Sequence, residues 1–410
     1  MEMLGFLILF PLLIAGLLLV FRKSKPRNVI VCIGSAAIAI VSIALVVTYI
    51  GTTGTYFEFE SEYVDYICLG IDVVIAITII AFGVKYKNPW AIILALIQIA
   101  GTLVYEFMFA HGLECSRSLY IDSLSLIMAL IIGIVGTGIC VYSIGYMHDF
   151  YFGIHHPETE MPDRRPTFFA LMFVFLSAMY GIIFFNNLIW LFTAWEVTTL
   201  CSFLLIGFTK TDEAIHNAFR QIIMNLVGGI AFLAALYYLA IQFGCIDFMD
   251  FIVFGTIAPT YVVLPLTCLS LAGITKAAQM PFHTWLLGAM VAPTPTSALL
   301  HSSTMVKAGV FMLIKCAPIY AVSFGPSILV ILVGGITFLL CSMMAISQSN
   351  GKRVLAYSTV ANLGLITACA GVGTVEAIWA AILLVIFHAV AKSLLFLCVG
   401  TAEHHIGSRD

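Results

Sequence analysis

Apolar runs long enough to cross a bilayer follow one another along almost the whole chain. A membrane-spanning helix needs about 20 predominantly apolar residues, and about thirteen stretches meet this condition. They cover residues 4–21, 29–50, 63–84, 89–110, 120–148, 167–186, 188–208, 218–243, 261–291, 296–317, 325–349, 353–371 and 376–400. We therefore predict an all-α, polytopic transmembrane helical bundle, in which residues 261–291 form a broken helix.

The composition excludes a soluble globular protein, because 62% of the 410 residues are hydrophobic and 10% are charged. The eleven cysteines are scattered and form no CxxC pair, so they are interpreted as small buried apolar residues. The sequence has neither a P-loop nor a Rossmann fingerprint. The histidines of loop 148–166 match no standard metal-ligand spacing. We expect no cofactor, no bound metal and no nucleic-acid partner.

Alternate loops differ strongly in charge. One set contains Arg22, Lys23, Lys25, Arg27, Lys85, Lys87, Arg164, Arg165, Lys210, Arg220, Lys352, Arg353 and Arg409. The other set contains Arg117, with Lys315 at a helix end, and the acidic residues Glu58, Glu60, Glu62, Asp247 and Asp250. Because lysine and arginine accumulate in cytoplasmic loops, we expect an integral protein of the cell membrane. Its N-terminus would lie outside and its C-terminus in the cytoplasm.

A few ionisable residues remain at membrane depth. They are Asp72, Glu106, Glu196, Lys276, His301, Lys307, His388 and Lys392. A lysine at the bilayer centre costs about 2.5–3.5 kcal/mol on insertion scales, so such residues usually have a function. Three prolines (Pro281, Pro293 and Pro295) interrupt the helices around the middle lysines, and broken helices at this depth are tolerated inside protein or beside water. The stretch 273–309 therefore predicts a hydrated polar path.

Glu196 lies in the middle of an apolar helix, and Lys276 lies in the broken one. A buried ammonium is costly to keep charged, and a nearby carboxylate stabilises its charge. A Glu196–Lys276 pair that forms and separates would therefore load and unload a proton on the lysine. The alternatives are a hydrogen-bonded structural carboxylate and a static ion pair between two helices. For Asp72 a local hydrogen bond or an assembly role is the favoured interpretation.

The remaining polar residues suggest successive stations. His301 and Lys307 are expected on one helix but on different faces, because they are six positions apart. His388 and Lys392 are four positions apart and should share a face and a proton. A satisfied core histidine at 301 and a simple helix–helix hydrogen bond at 388 remain alternatives. A lipid-modifying enzyme would need its catalytic cluster at the membrane interface, whereas these groups lie at mid-depth.

Several segments resemble one known family. Residues 275–311, TKAAQMPFHTWLLGAMVAPTPTSALLHSSTMVKAGVF, are similar to the signature of the antiporter-like proton-translocating membrane subunits. These subunits are shared by respiratory complex I, Mrp-type cation/proton antiporters and energy-converting membrane-bound hydrogenases. LFTAWEVTTLCSFLLIGF, KRVLAYSTVANLG and IFHAVAKSLLFLCVGTAEHHIGSRD resemble further family segments in the expected order. The resemblance extends from about residue 118 to the end.

The resemblance implies two inverted five-helix repeats, each with a broken helix. We expect N-terminal helices with an extra hairpin over 1–117, a first repeat over 118–324 and an incomplete second repeat over 325–410. The resemblance gives no function for the hairpin at 63–110. Three positions depart from the family pattern: Leu287-Gly288 replace a frequent Pro-Asp, Val291 replaces an acidic residue of some members, and Gly229 replaces another.

The resemblance also implies roles for the site residues. Glu196 corresponds to the pump glutamate, and Lys276 to the lysine of the broken helix. Lys307 with His301 forms the connecting station, and Lys392 with His388 the link towards the second half. The implied protein is a non-redox subunit that translocates protons, with a sodium-linked variant open, among other membrane subunits of a complex-I-like oxidoreductase. The alternative is the large subunit of an Mrp-type sodium/proton antiporter.

Overall fold

The computed structural model describes residues 1–59, 61–110, 113, 115, 117–152 and 163–406, and most of them are helical. The α-helices are α1 (Glu2–Val20), α2 (Ser24–Tyr49), α3 (Glu62–Lys85), α4 (Pro89–Tyr105), α5 (Ser123–Leu130), α6 (Thr137–Phe152), α7 (Arg165–Phe184), α8 (Leu188–Ile206), α9 (Asp212–Phe243), α10 (Phe248–Ile257), α11 (Val263–Lys276), α12 (Thr284–Gly288), α13 (Thr294–Ser302), α14 (Met305–Lys315), α15 (Ala317–Tyr320), α16 (Phe324–Ile346), α17 (Gly351–Val372) and α18 (Val375–Ile406). A π-helical segment, Ile131–Gly136, joins α5 to α6.

The helical membrane fold is confirmed. Within the described ranges, twelve segments are long and apolar enough to cross a bilayer. The one predicted stretch that is not among these twelve, 261–291, is broken as expected. Its first part, α11, ends at Lys276, and only the five-residue helix α12 follows before a short 3₁₀ turn at Ala289–Val291. Pro281 lies within the non-helical connection, where its missing N–H removes no helical hydrogen bond.

The next predicted span, 296–317, is confirmed at Thr294–Lys315, but it contains a second break, and the prediction that His301 and Lys307 share one helix is wrong. Helix α13 ends at Ser302 and α14 begins at Met305. The Thr304 hydroxyl donates to the Leu299 carbonyl at 2.7 Å, and the Ser302 hydroxyl donates to the Ala298 carbonyl at 2.6 Å. Hydroxyl side chains that bond local carbonyls compete with the helical ladder. His301 and Lys307 therefore lie on different helices.

The two broken spans meet along a line of close backbone contact. A Cβ atom added to Gly309 of α14 would lie 2.5 Å from the Ala277 nitrogen and 2.6 Å from the Gly273 oxygen. Only glycine permits this approach, as at many helix contacts in membranes. Both α13 and α14 are completely buried by the surrounding helices. The interrupted helices thus form the centre of the bundle.

A strand pair and an ion-pair cluster lie near opposite ends of α2. At one end, strands β1 (Thr55–Phe57) and β2 (Leu119–Ile121) pair antiparallel. At the other end of α2, Arg27 lies 4.0 Å from Asp163. Arg165 donates to the same carboxylate at 2.8 and 2.7 Å, and this hydrogen bonding holds the pKa of Asp163 below its ordinary value. Basic residues predicted for one side of the membrane therefore lie close together in the fold.

Candidate functional site

Lys276 is fully buried at the last residue of α11. Its Nζ donates to the Trp195 carbonyl at 2.6 Å and to the Thr199 hydroxyl at 2.8 Å, both on α8. The ammonium also lies 4.6 Å from the centre of the Trp195 ring, in a cation–π contact. The lysine that ends the broken helix is therefore held directly against the helix of Glu196.

Glu196 lies between the two residues that bind Lys276, but its carboxylate does not contact the ammonium. The side chain is 1% exposed. Among the described residues, no ion pair within 4.0 Å joins Glu196 to Lys276, and neither carboxylate oxygen has a hydrogen-bond partner of ordinary geometry. The predicted Glu196–Lys276 pair therefore lies on helices that contact each other through Lys276, with the two charged groups in a separated arrangement.

Gly229 of α9 provides the space for the Glu196 carboxylate. A Cβ atom at this position would lie 2.6 Å from Glu196 Oε1 and 3.1 Å from both amide atoms of Gln98. From the sequence, Gly229 is the loss of an acidic candidate. In the structure its role is steric, because any larger residue would displace the carboxylate. Gln98, for which no sequence motif indicated a role, supplies an amide that faces Glu196.

Lys307 contacts His388 rather than His301. The Lys307 Nζ lies 3.0 Å from His388 Nδ1 and donates to the Val385 carbonyl at 3.1 Å. Both side chains are buried. The direct partner of His388 is therefore Lys307 on α14. Within the described structure, no hydrogen bond joins His388 to Lys392, with which it was expected to share a proton.

His301 and Lys392 lie on either side of this contact. The His301 ring is fully buried and packs against Phe396 of α18, with the ring centroids 4.8 Å apart and the planes tilted by 50°. Neither of its nitrogens has a hydrogen-bond partner in the described part of the chain. Lys392 is 6% exposed and binds Ser358 and the Leu355 carbonyl of α17. All four predicted cationic stations after the first break thus surround the interface of α13, α14, α17 and α18.

Buried polar atoms without protein partners occur on α9, in the connection after α11, and along α13 as far as the second break. They include Gln221 Oε1, Asn225 Oδ1, Gln279 Oε1, Thr296 Oγ1, Ser297 Oγ and Ser303 Oγ, all within the described ranges. Most buried polar groups in proteins are hydrogen-bonded to protein or to ordered water. These atoms are therefore suited to bind water.

A cavity of about 870 Å³ opens beside the broken segment. Its wall contains Thr284, Gly288 and Pro293 from that segment, together with Arg220 and Arg353. Such a volume accommodates many waters. It lies beside α12 and the connection to α13, at the end of the bundle that carries Arg220 and Arg353.

Lys352 is a buried residue whose position the sequence did not reveal. It was assigned to the basic loops, but its side chain is fully buried beside the cavity. It lies 3.6 Å from the Glu403 carboxylate and 3.5 Å from the Ala292 carbonyl. Since a lysine at a helix start is normally exposed, no local sequence signal distinguishes it from its neighbour Arg353.

The prediction of no bound metal concerns the histidine-containing loop 148–166, of which the structure describes only a part. Within the described ranges, no group of three or more histidine, cysteine, aspartate or glutamate side chains could hold a metal ion. Residues 153–162 of the histidine-containing loop lie outside those ranges, as does the side chain of His404.

Two family models match this chain. Residues 185–410 match the model described as NADH:quinone oxidoreductase/Mrp antiporter, transmembrane region. Residues 107–151 match that of NADH-ubiquinone oxidoreductase (complex I), chain 5 N-terminus. The Na(+)/H(+) antiporter subunit A1 of Staphylococcus aureus is 35% identical over 308 residues, which are 71% of this chain and 37% of the relative. The chain therefore spans little more than a third of the length of these curated relatives.

Two solved structures are similar in fold. A chain of the Mrp complex from Dietzia sp. DQ12-45-1b has a TM-score of 0.66 and 29% identity, covering 83% of this chain and 37% of that one. A chain of the membrane-bound sulfane sulfur reductase, an archaeal respiratory membrane complex, has a TM-score of 0.75 and 19% identity. That match covers 100% of this chain and 73% of the other, and it establishes similarity of fold alone.

Proposed function

This chain belongs to the NADH:quinone oxidoreductase/Mrp antiporter transmembrane family, and we propose that it translocates protons as one subunit of a larger membrane complex. The observation that carries the proposal is the position of Lys276. Its buried ammonium ends a broken helix and binds the residues on both sides of Glu196 in α8. An ionisable pair at this depth is the expected core of a proton path.

In the first step, Lys276 exchanges its neutral partners on α8 for the Glu196 carboxylate and back again. In the structure the ammonium is bound by the Trp195 carbonyl and the Thr199 hydroxyl. When the Glu196 carboxylate turns towards it, the positive charge is stabilised, and the lysine retains its proton. When the carboxylate turns away, as in the structure, a charged lysine costs more and releases the proton more readily.

The second step carries the proton across the interface of α13 and α14. Polar side chains that are suited to bind water lie near the breaks, and His301 has two unpartnered ring nitrogens. Water and neutral imidazole can both accept and donate a proton. Lys307 receives it next and passes it to His388, since their nitrogens are 3.0 Å apart. Lys392, bound to α17, is the following station.

The aqueous connection is proposed at the basic end of the bundle. The cavity of about 870 Å³ reaches the broken segment there. With basic loops on the cytoplasmic side, the N-terminus would be outside and the C-terminus inside. Residues 118–324 would form the first repeat and contain the path from Glu196 to Lys307, and residues 325–410 would belong to a second repeat that contributes His388 and Lys392.

Two driving forces are compatible with this path. In a complex-I-like oxidoreductase, electron transfer in other subunits would alter the Glu196–Lys276 distance. The family description, which names NADH:quinone oxidoreductase, supports this form of the proposal. In an Mrp-type antiporter, sodium ions would be exchanged for protons. The 35% sequence identity to a Na(+)/H(+) antiporter subunit supports that form. Purification of the intact complex and identification of its subunits distinguishes them.

The central test is Lys276→Ala in the intact complex. Proton translocation into membrane vesicles should be abolished, while the complex still assembles. Lys85→Ala is the matched control, because that lysine is exposed at the end of α3. Unchanged translocation in Lys276→Ala would disprove the proposed function.

A further inference from the structure

The α3–α4 hairpin lies before the segments that the two family models match, and its position in the fold suggests a role. Its residues, 62–105, precede the first matched segment, 107–151. Helix α3 packs on α8, and α4 packs on α9. The hairpin thus covers the two helices that contribute Glu196 and Gly229.

Asp72 of α3 is buried against α8. It is 7% exposed, and its Oδ2 accepts a hydrogen bond from the Thr193 hydroxyl at 2.9 Å. Its other oxygen, Oδ1, is buried and has no hydrogen-bond partner within the described ranges. If Asp72 served only to attach α3 to α8, both of its oxygens could be hydrogen-bonded to protein. Here Oδ1 is left available to bind another group.

A small cavity connects this carboxyl group to Glu196. It has a volume of about 20 Å³, and its wall contains Asp72, Gln98, Thr102 and Glu196. A cavity needs roughly 10–15 Å³ on this measure to hold one water molecule. Four polar atoms of the wall are buried without a partner among the described residues: Asp72 Oδ1, Gln98 Oε1 and both oxygens of Glu196. They are enough to bind one water.

We propose that Asp72 and Glu196 form a carboxyl pair that shares one proton through this water-sized cavity. The hairpin would thereby give Glu196 a proton-exchange partner in addition to Lys276. Two carboxylates in one buried site cannot both be ionised at low cost, so a proton is retained between them. In a transfer, one carboxyl group gives its proton to the water, and the water gives another to the second carboxylate. This role rests on the proposed function of Glu196.

Neighbouring ionisable groups act on each member of the pair. A charge on Asp72 is repelled by its partner Glu196 and also by Glu106, and Cys68 lies on the same helix as Asp72. Lys276 stabilises a charge on Glu196. When Lys276 holds a proton, the pair is therefore more readily ionised at Glu196, and the shared proton moves towards Asp72.

The test is Asp72→Asn in the intact complex. Asparagine keeps the shape and an oxygen that can accept from Thr193, but it has no proton that it can release or take up. We expect the rate of proton translocation to fall about tenfold, less than the loss of a sole acid–base group because Lys276 remains. The pH profile should lose one ionisation step. The infrared carbonyl band of a protonated carboxyl group should be lost in both Asp72→Asn and Glu196→Gln.

Asp65→Asn is the matched control. Asp65 lies seven residues earlier on the same face of α3 and accepts a hydrogen bond from Trp190 of α8 at 2.6 Å. Its variant should keep the wild-type rate and pH profile. Thr193→Val removes the anchoring bond and keeps the carboxyl group. If it reproduces the Asp72→Asn defect, Asp72 is only an anchor and the proposal is overturned.

A wild-type rate and pH profile in Asp72→Asn would also overturn it. That outcome leaves the proposed function intact as long as Lys276→Ala is inactive. If Lys276→Ala translocates protons normally, the proposed function itself fails.

Discussion

Lys307 and His388 lie 81 positions apart in the chain, and their side-chain nitrogens are 3.0 Å apart in the core of the protein. One stands on α14 and the other on α18. The contact joins the helix after the second break to a long helix of the proposed second repeat. It is the direct connection between the two halves of the proposed path.

Replacing His388 by glutamine should separate the structural and the proton-carrying roles of this contact. Glutamine can accept a hydrogen bond from Lys307 but cannot exchange a proton as imidazole does. Proton translocation should fall by about a hundredfold, while the thermal stability of the complex stays near that of the wild type. Phe387→Leu, at an exposed neighbouring position, is the control. Normal translocation in His388→Gln would remove the residue from the path.

Gly229→Ala should impair transport without unfolding the protein. The new methyl group would lie 2.6 Å from Glu196 Oε1, at the far end of a flexible side chain that can move away. A displacement of about 1 Å at a reacting group costs up to about a hundredfold in rate. Gly138→Ala is the control, because nothing lies within 4 Å of a Cβ there. Equal translocation by the two variants would show that the carboxylate needs no such space.

Asp122→Asn should destabilise the protein in a pH-dependent way. Asp122 accepts from Lys315 at 2.5 Å and caps α5 through the Ser125 N–H at 2.9 Å. Burial alone would raise the pKa of Asp122, but Lys315 and these hydrogen bonds outweigh it and hold the pKa below its ordinary value. A carboxyl group with a lowered pKa stabilises the fold above its unfolded-state pKa, near 3.9, and this stabilisation is lost as the pH falls through the folded-state pKa.

Thermal denaturation at several pH values measures this effect. Near neutral pH the variant should lose about 2 kcal/mol, and the difference from wild type should shrink below about pH 4. Asp250→Asn is the comparison, because its ion pair with Arg117 is exposed and exposed pairs contribute about 0–1 kcal/mol. A constant difference at all pH values would contradict the assigned ion pair.

Lys352→Met should loosen the wall of the large cavity. The lysine joins the start of α17 to the Ala292 carbonyl and to Glu403. Without these contacts, amide hydrogen exchange at residues 289–292 should become faster, whereas α7 should exchange as in wild type. Arg353→Met, which changes the exposed neighbour, should leave the exchange at 289–292 unchanged. If both variants exchange alike, Lys352 does not hold this segment.

The sequence predicted the spans and the first break well, because both depend on local properties. A run of apolar residues reports burial in lipid, and Pro281 cannot continue a helix. The second break depends on hydroxyl groups that bond carbonyls at Ser302 and Thr304. Serine and threonine occur in many unbroken helices, so their presence alone does not indicate a break.

The pairing of the stations could not be predicted for a different reason. Six positions between His301 and Lys307 define a relative direction only if the helix is continuous, and it is not. The contact of Lys307 with His388 depends on how α14 packs on α18. Likewise, Gly229 seemed to remove an acidic group, whereas the fold uses its small size to accommodate Glu196.

The contact of Gly309 with Gly273 and Ala277 limits how the proposed path can work. Their backbone atoms touch, with no side chain between them to deform. The ends of α11 and α14 should therefore move as one rigid body, and the backbones at Lys276 and Lys307 should keep a fixed separation. The degrees of freedom left for switching are side-chain torsions, the positions of water and displacements of α8 and α18 against this fixed centre.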